Sequence, residues 1–218
     1  PEILHYLPER SCMIRYHLSV KDRSTGKCGG LTIYGKNYRD EDGAEVYSIM
    51  RQLSAQMPGS AIPLGYDQEM RILWQSHVPG EPFLWETLQT SEMEDTFSGI
   101  ARCVAKFHGC TVRTDRRFDL ADIHESLMDT IVAARQVYPD FEDRIASLVS
   151  ALLAQHSSMG WSETLTTPIH RDLKMRNFLI DGKNITIIDM DCVCLGNPLS
   201  DLGSLIANFY LNGIRAGC

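Results

Sequence analysis

The sequence has 218 residues, of which 44% are hydrophobic and 22% charged, as is usual for a globular protein that buries its own core. Its 28 acidic residues exceed its 21 Lys and Arg residues and give a formal net charge of −7, so the basic surface of a nucleic-acid-binding protein is not expected. No apolar run approaches the roughly 18–20 residues of a membrane span, so we expect no membrane partner.

The seven cysteines are odd in number and scattered, and none has the C-x-x-C or Cys/His spacing of a zinc site. A reduced chain in the cytoplasm is the simplest interpretation. Pro1 is not a natural start and no signal peptide follows it, so we expect the sequence to be part of a longer chain. The sequence does not indicate an oligomeric state.

The first part of the chain is predicted to be a sheet with one helix. Alternating apolar residues predict strands over 12–20 and 31–38, joined as a hairpin by the polar, glycine-rich residues 21–30. Residues 4–11 look like a strand end followed by a turn. Apolar residues at helical spacing then predict a helix over 44–57.

A loop and one more strand lead to the predicted domain boundary. Proline and glycine indicate a loop over 57–66, and residues 71–78 read as a strand. We place the boundary between residues 78 and 82, where proline and glycine interrupt the pattern again. A short linker there would leave a cleft, and clefts between domains are common ligand sites.

The remaining chain is predicted to be mainly helical. A capping box, Ser91 with Glu94, begins its first helix. Two amphipathic helices follow at 121–138 and 141–159. The last helix is capped by Asp201 and ended by Asn212-Gly213.

One β-hairpin interrupts these helices. Residues 178–180 form an apolar strand, 181–182 are an Asp-Gly turn signal and 185–188 form a second, β-branched strand. Because a hairpin brings its outer ends together, the loop before residue 178 should meet the residue after 188. The polar groups that this gathers are Asp172, Asn177 and Asp189.

Two carboxylates and an amide in one place suit a hard cation. Mg²⁺ takes oxygen ligands, usually one or two carboxylates with waters and the substrate's own phosphates. The order H-R-D-x-x-x-x-N, a strand pair and then Asp resembles the catalytic loop and metal-binding Asp of kinases. Alone, Asp172 could be a turn-capping aspartate, and Asp189 with Asp191 a solvated strand end, but the ordered combination favours phosphate chemistry.

Three motifs, HRDLKMRN, IIDMD and GNPLSDLG, resemble the aminoglycoside phosphotransferase and choline kinase superfamily, the small-molecule relatives of protein kinases. The resemblance runs from about Cys12 to the end of the chain. It implies a two-lobed α+β fold, with a small β-rich, nucleotide-binding N-lobe over 1–78 and a mainly helical C-lobe over 79–218 that carries the catalytic hairpin. Family members usually continue with further helices that form the acceptor pocket, so we expect the C-lobe to be incomplete at its C-terminus.

The resemblance implies a role for each matching residue and implies ATP and Mg²⁺ as cofactors. Asp172 matches the catalytic Asp that accepts or orients the substrate hydroxyl, and Asn177 and Asp189 match the Mg²⁺ ligands. Lys36 matches the strand lysine that pairs with the α- and β-phosphates. Its expected ion-pair partner is Glu45, with Glu41 as the alternative.

The resemblance also implies residues that bind adenine or support the loop. The backbone C=O of Ser76 and N–H of Val78 match the hinge that meets the adenine edge. Asp201 matches an Asp that braces the catalytic loop, and His170 is expected to hold the shape of that loop. Asp191 is a candidate auxiliary metal ligand.

Two departures from the pattern bear on function. No G-x-G-x-x-G is present, and residues 7–11, LPERS, stand where the phosphate-covering loop should lie. Only 11 residues separate Asp189 from Asp201, Asp191 replaces a glycine and no A-P-E motif follows, whereas a protein kinase needs a longer activation segment there. A small hydroxylated acceptor is therefore the better prediction, and the acidic balance slightly favours a cationic one.

The sequence predicts an Mg-ATP-dependent phosphotransferase acting on a hydroxyl of a small molecule, such as an aminoglycoside, a choline-like amine or a sugar. Two alternatives stay open. The missing glycine loop favours a catalytically inactive nucleotide-binding pseudokinase or interaction module, which the intact Asp/Asn/Asp set opposes. HRDLK by itself also reads like an atypical protein kinase.

Overall fold

The computed structural model describes residues 1–86, 93–158 and 166–217. Its N-lobe is a five-stranded antiparallel sheet with strand order β1-β2-β3-β5-β4 and one helix. The strands are β1 (Glu2–Leu7), β2 (Ser11–Lys21), β3 (Cys28–Tyr38), β4 (Pro63–Asp67) and β5 (Ile72–Ser76), and the helix is α1 (Asp42–Ser54). The predicted hairpin, helix and strand over 71–78 are all present, with small shifts in their bounds.

Strand β4 corrects one prediction. The sequence predicts a loop over 57–66, but strand structure begins at Pro63. β4 lies at the edge of the sheet and has a bulge between Pro63 and Gly65. Edge strands and bulges are the places where a sheet accepts proline and glycine. Pro63 and Gly65, which predict a loop in the sequence, are therefore compatible with a strand at this edge.

Helices dominate the C-lobe, which also contains two three-stranded sheets with orders β10-β9-β6 and β7-β11-β8. The helices are α2 (Met93–His108), α3 (Leu120–Val137), α4 (Glu142–Ser158) and α5 (Leu199–Arg215). The strands are β6 (Glu81–Pro82), β7 (Arg117–Phe118), β8 (Thr167–Ile169), β9 (Phe178–Asp181), β10 (Asn184–Ile187) and β11 (Cys194–Gly196). The capping box predicted at Ser91 lies outside the described residues.

Helix α5 differs from its prediction at both ends. Pro198 is its N-cap and Asp201 lies inside its first turn, so Asp201 does not cap the helix. The helix also continues through the predicted Asn-Gly stop to Arg215. Gly213 is buried there beside Trp85, where an added Cβ would lie 3.3 Å from a ring carbon, so tertiary packing outweighs the local stop signal.

The chain after β5, where the sequence predicts the boundary between the lobes, passes very close to the hairpin formed by β9 and β10. Gly80 has φ +114°, and a Cβ at this position would come within 2.8 Å of the carbonyl oxygen of Ile180. Only glycine combines that backbone conformation with so close an approach. β6 then pairs with β9, so the chain directly after Gly80 is hydrogen-bonded to the hairpin.

A single cluster of buried apolar side chains connects the two lobes. Ile49 and Leu53 of α1 and Leu73 of β5 belong to the same cluster as Phe107 of α2 and Phe178 of β9. Burial of each such side chain contributes roughly 1.5–3 kcal/mol, so the lobes are held together by their shared core. None of the described helices is both long and apolar enough to cross a membrane.

Candidate active site

The hairpin formed by β9 and β10 brings the predicted polar groups together. Phe178 pairs with Ile187, and beyond that pair the N–H of Ile188 donates to the carbonyl of Asn177 at 2.9 Å. Asn177 ends a short 3-10 turn and is almost fully buried. Its Nδ2 donates to the carbonyl of Asp172 at 2.9 Å, so Asn177 contacts the loop before β9 through its side chain and the end of β10 through its main chain.

Asp189 begins a tight turn directly after this hairpin. It has φ 68° and ψ 65°, in the left-handed region that non-glycine residues rarely adopt. Such a conformation costs on the order of 1–3 kcal/mol and persists only where the surroundings impose it, which is common at functional sites. The 3-10 turn Met190–Cys192 follows and returns the chain toward β11.

Lys36 of β3 reaches across to this turn from the other lobe. Its Nζ lies 2.9 Å from Oδ1 of Asp189 and 2.5 Å from Oδ2 of Asp191. Burial alone would lower the pKa of Lys36, but the carboxylates of Asp191 and Asp189 raise it above its usual value. Burial would likewise raise the pKa of Asp189, but the Lys36 ammonium outweighs it, so the pKa of Asp189 lies below its usual value.

Tyr38 holds the second carboxylate of this group. Its hydroxyl donates to Oδ1 of Asp191 at 2.7 Å. Burial, followed by the charge of Asp191, raises the pKa of Tyr38 far above its usual value, so the phenol stays protonated and remains a donor. Asp191 therefore lies between Lys36 and Tyr38, two residues of the same face of β3.

The predicted ion pair between Lys36 and Glu45 is not among the ion pairs of the described residues. Glu45 instead accepts from Nε of Arg116 at 2.8 Å and from the hydroxyl of Thr114 at 2.5 Å. The alternative partner, Glu41, lies 3.6 Å from Arg71. A cation supplied by the loop after α2 satisfies the glutamate of α1, and Lys36 pairs with the aspartates of the turn instead.

Asp201 lies beneath the loop that contains His170 and Arg171 and is completely buried. Its carboxylate accepts the backbone N–H of His170 at 2.7 Å and that of Arg171 at 2.8 Å. Nε2 of His108 on α2 lies 2.9 Å from the same carboxylate, which can only accept. The Nε2 of His170 in turn donates to the carbonyl of Ile188 at 2.9 Å.

Lys174 is a site residue that the sequence reasoning missed. Its Nζ lies 2.5 Å from Oδ2 of Asp172, and both side chains are partly exposed. Its position two residues after Asp172 in HRDLK was the available signal. A cation beside the predicted catalytic carboxylate is suited to a phosphoryl group.

Tyr34 is a second residue that the sequence reasoning missed. It precedes Lys36 by two residues on β3, so the two side chains share one face of the sheet. Its ring stacks on that of His77 with centroids 5.9 Å apart, and its hydroxyl lies 3.1 Å from Nδ1 of His77. His77 lies between Ser76, which ends β5, and the buried Val78, so the tyrosine ring stands at the predicted hinge.

Asn177 and Asp189 could hold a magnesium ion together with water and phosphate oxygens. The described residues contain no group of three or more His, Cys, Asp or Glu side chains that could hold a metal, so a protein cage is not indicated. Asn177 uses Nδ2 as a donor, so its amide oxygen is the atom that could act as a ligand. With a carboxylate oxygen of Asp189 it would supply two ligands, and water and phosphate would supply the rest.

The predicted phosphate-covering segment is a tight turn. Residues 7–11 connect β1 to β2, and Glu9 has φ 59°. The N–H of Arg10 donates to the carbonyl of Leu7 at 3.0 Å. Ser11 pairs with Tyr38 and Met13 with Lys36, so the turn adjoins the end of β3 that carries the lysine.

Comparison with known proteins agrees with this architecture. Aminoglycoside phosphotransferase APH(3'')-Id from Streptomyces rimosus is similar with a TM-score of 0.59 and 20% identity, over 90% of this chain and 78% of that one. A choline/ethanolamine kinase family protein from Mesorhizobium loti gives 0.59 and 17%, over 92% and 66%. A thermostable variant of APH(4)-Ia, solved with ADP and hygromycin B, gives 0.67 and 14%, over 98% and 75%. These similarities confirm the predicted two-lobed, kinase-like α+β fold.

No curated protein matches the sequence. The model of a family described as the phosphotransferase enzyme family, however, matches residues 29–216, which include most of both lobes and every predicted site residue. The match agrees with the resemblance carried by HRDLKMRN, IIDMD and GNPLSDLG, and the chain belongs to this phosphotransferase enzyme family.

Proposed function

We propose that the protein transfers the γ-phosphoryl group of Mg-ATP to a hydroxyl of a small molecule. The observation that carries the proposal is the meeting of four groups from two lobes. Asn177 donates to the carbonyl of Asp172 at 2.9 Å, and Lys36 lies 2.9 Å from Asp189. A carboxylate for the acceptor, two metal ligands and one cation for phosphate are the parts that phosphoryl transfer requires.

Asp172 is the proposed catalytic residue. Its carboxylate is partly exposed, so an acceptor hydroxyl can approach it, orient against it and give up its proton there. Lys174, at 2.5 Å, limits the build-up of negative charge where the phosphoryl group passes. Most of the rate enhancement in such a site comes from positioning and charge stabilisation rather than covalent chemistry.

Asn177 and Asp189 are the proposed magnesium ligands. A magnesium ion held by these two residues would supply positive charge that neutralises the phosphates. Asn177 is held for this role by its bond to the loop, and Asp189 by its left-handed backbone. The lowered pKa of Asp189 keeps the carboxylate ionised and able to bind a cation.

The nucleotide is proposed to lie between Lys36 and the hinge. Lys36 pairs with its α- and β-phosphates, while the C=O of Ser76 and the N–H of Val78 meet the adenine edge. The ring of Tyr34 on the same face of β3 offers a surface on which a purine can stack. Two of the similar structures were solved with ADP and streptomycin and with AMP-PNP and Ca²⁺, which supports nucleotide binding by this chain.

The segment between Asp189 and Asp201 favours a small acceptor over a peptide. Three of its residues form β11, which pairs with β7 on one side and β8 on the other. The segment is therefore held within a sheet and cannot serve as a long loop that docks a peptide. Two of the similar proteins were solved with streptomycin or hygromycin B, which supports a small polyhydroxylated acceptor for this chain.

The test is ADP release by the purified protein with Mg-ATP and a panel of aminoglycosides, amino alcohols and sugars. Release that depends on one acceptor, with phosphorus NMR showing a phosphate ester on it, supports the proposal. Peptide phosphorylation without any small-molecule turnover would indicate an atypical protein kinase instead. Mg-ATP binding without turnover on any acceptor or peptide would indicate a pseudokinase.

A further inference from the structure

The side chain of Arg116 connects helix α1 to the turn that carries the proposed metal ligand. Its Nε donates to Oε2 of Glu45 at 2.8 Å, and its Nη2 lies 3.1 Å from Asp42 at the start of the same helix. Its Nη1 donates to the backbone carbonyl of Asp191 at 2.7 Å. One guanidinium therefore fixes two acidic side chains of α1 and the main chain of the turn together.

Arginine is suited to this position because its planar fork can address several acceptors in different directions at once. The group is only 21% exposed, so the two inner contacts are partly shielded from water. The contact to Asp42 is more exposed and contributes less, since that carboxylate is 67% exposed. Thr114 donates to the other oxygen of Glu45, which fixes the glutamate in the orientation that faces Arg116.

The backbone that Arg116 holds belongs to the residue that positions Lys36. Asp191 accepts from Arg116 through its carbonyl, and its carboxylate faces both the Lys36 ammonium at 2.5 Å and the Tyr38 hydroxyl at 2.7 Å. Asp189, two residues earlier, lies in the same turn. A shift of the Asp191 main chain would therefore displace Lys36 and the proposed metal ligand together.

We propose that Arg116 is a positioning residue for phosphoryl transfer, which sets the place of Asp189 and Lys36 by holding the Asp189–Asp191 turn against α1. Helix α1 then acts on the site through Arg116 and not through a direct contact between Glu45 and Lys36. Arg116 touches neither nucleotide nor acceptor in this scheme. The inference rests on the proposed function, since it concerns the same metal and nucleotide site.

The test compares Arg116→Met with Arg117→Met, its neighbour on β7, whose side chain is exposed and has no ion pair within the described residues. Nucleotide affinity is measured calorimetrically in excess EDTA and across a Mg²⁺ titration. We expect Arg116→Met to raise the Mg²⁺ concentration for half-maximal nucleotide binding by about tenfold or more, as loss of a group that orients a metal ligand does. Affinity in EDTA should fall by less than affinity with Mg²⁺, because only the contact of Lys36 with the phosphates is then disturbed. Arg117→Met should match the wild type in both conditions.

Two further variants separate positioning from general damage. Arg116→Lys keeps the charge but cannot reach all the acceptors, so its Mg²⁺ dependence should lie between those of the wild type and Arg116→Met. Glu45→Gln should shift the Mg²⁺ dependence in the same direction by less, and should add nothing in the Arg116→Met background because the two residues act through one contact. Glu45→Gln also serves as the test if Arg116→Met does not fold.

Either of two results would overturn the inference. One is a wild-type Mg²⁺ dependence in Arg116→Met, and the other is an equal loss of affinity with and without Mg²⁺, which would indicate general disruption. Failure of the proposed function is distinguishable because it is measured on the wild-type protein as absence of turnover, whereas the inference is measured as a difference in Mg²⁺ dependence between variants. A wild-type protein without any Mg²⁺-dependent nucleotide binding would overturn both proposals before any variant is compared.

Discussion

Two charged clusters of the site differ in how far they are shielded from water. Around Asp201, a carboxylate with 0% exposure is satisfied by donors from His108, His170 and Arg171. Around Lys36, the carboxylates of Asp189 and Asp191 are 40% and 30% exposed. The first cluster has no room to exchange partners and fixes the backbone of the loop at His170 and Arg171. The second keeps carboxylate oxygens accessible, as the proposed role of Asp189 as a metal ligand requires.

The largest expected effect lies at the accessible end of this comparison. Asp172→Ala removes the carboxylate that faces the acceptor, so turnover should fall by about 10²–10⁴-fold, the usual contribution of a positioned general base. Nucleotide affinity and the free energy of unfolding should stay near wild-type values because Asp172 is partly exposed and is proposed to act on the acceptor alone. Steady-state ADP release, calorimetry and urea unfolding measure the three quantities.

The matched control for Asp172→Ala is Asp181→Ala, which changes an exposed aspartate at the turn of the same hairpin. It should keep wild-type turnover. Full phosphotransferase activity in Asp172→Ala would show that this carboxylate does not act on the acceptor.

The buried cluster should respond in the opposite way, through stability. Asp201→Asn places an NH₂ group opposite at least one N–H donor, whichever way the amide is turned, because donors face both carboxylate oxygens. We expect a loss of about 2–4 kcal/mol in the free energy of unfolding, as for a buried charged acceptor that loses its partners. Urea unfolding measures it, with the exposed Asp140→Asn as control. Unchanged stability would mean that the cluster does not brace the loop.

The contribution of Lys36 to nucleotide affinity can be compared with that of Glu45, the residue that the family pattern makes its partner. Lys36→Met removes the cation expected to meet the phosphates and leaves Asp189 and Asp191 facing each other, so nucleotide affinity should fall by about tenfold or more. Glu45→Gln should have a smaller effect, because Glu45 contacts Arg116 and Thr114 and not Lys36. Calorimetric titration with Mg-ATP compares the two. Equal losses would restore the direct lysine–glutamate pair expected from the family pattern.

The same comparison explains how much of the molecule the sequence could predict. The hairpin that gathers Asp172, Asn177 and Asp189 was predictable because its turn signal and strand pattern are local, and its pairing follows from them. The partner of Glu45 was not, because Arg116 is 71 residues away and no periodic pattern relates the two. Strand β4 was missed because Pro63 and Gly65 signal a loop anywhere except at a sheet edge. Helix α5 continues beyond the predicted end at Asn212-Gly213 because Gly213 packs against Trp85.

The smallest expected effect is a pH dependence that reports on the Lys36 pair. Because the ammonium holds the pKa of Asp189 below its ordinary value of 3.8, ionised Asp189 stabilises the folded state above that pH. The contribution is lost as the pH falls through the lowered pKa. The difference in free energy of unfolding between the wild type and Asp189→Asn should therefore be constant at neutral pH and shrink below about pH 4. Urea unfolding at a series of pH values measures it.

A Lys36→Met background provides the internal control for that pH dependence. With the ammonium removed, burial raises the pKa of Asp189, and the Lys174 ammonium opposes this more weakly than Lys36 did. The stabilisation that Asp189 provides relative to Asp189→Asn in this background should then fall less on acidification, or rise. If it shrank equally in both backgrounds, Lys36 would not be the group that holds Asp189 ionised. Groups other than Lys36 would then keep Asp189 ionised. The two clusters could no longer be distinguished by the role of an accessible lysine pair.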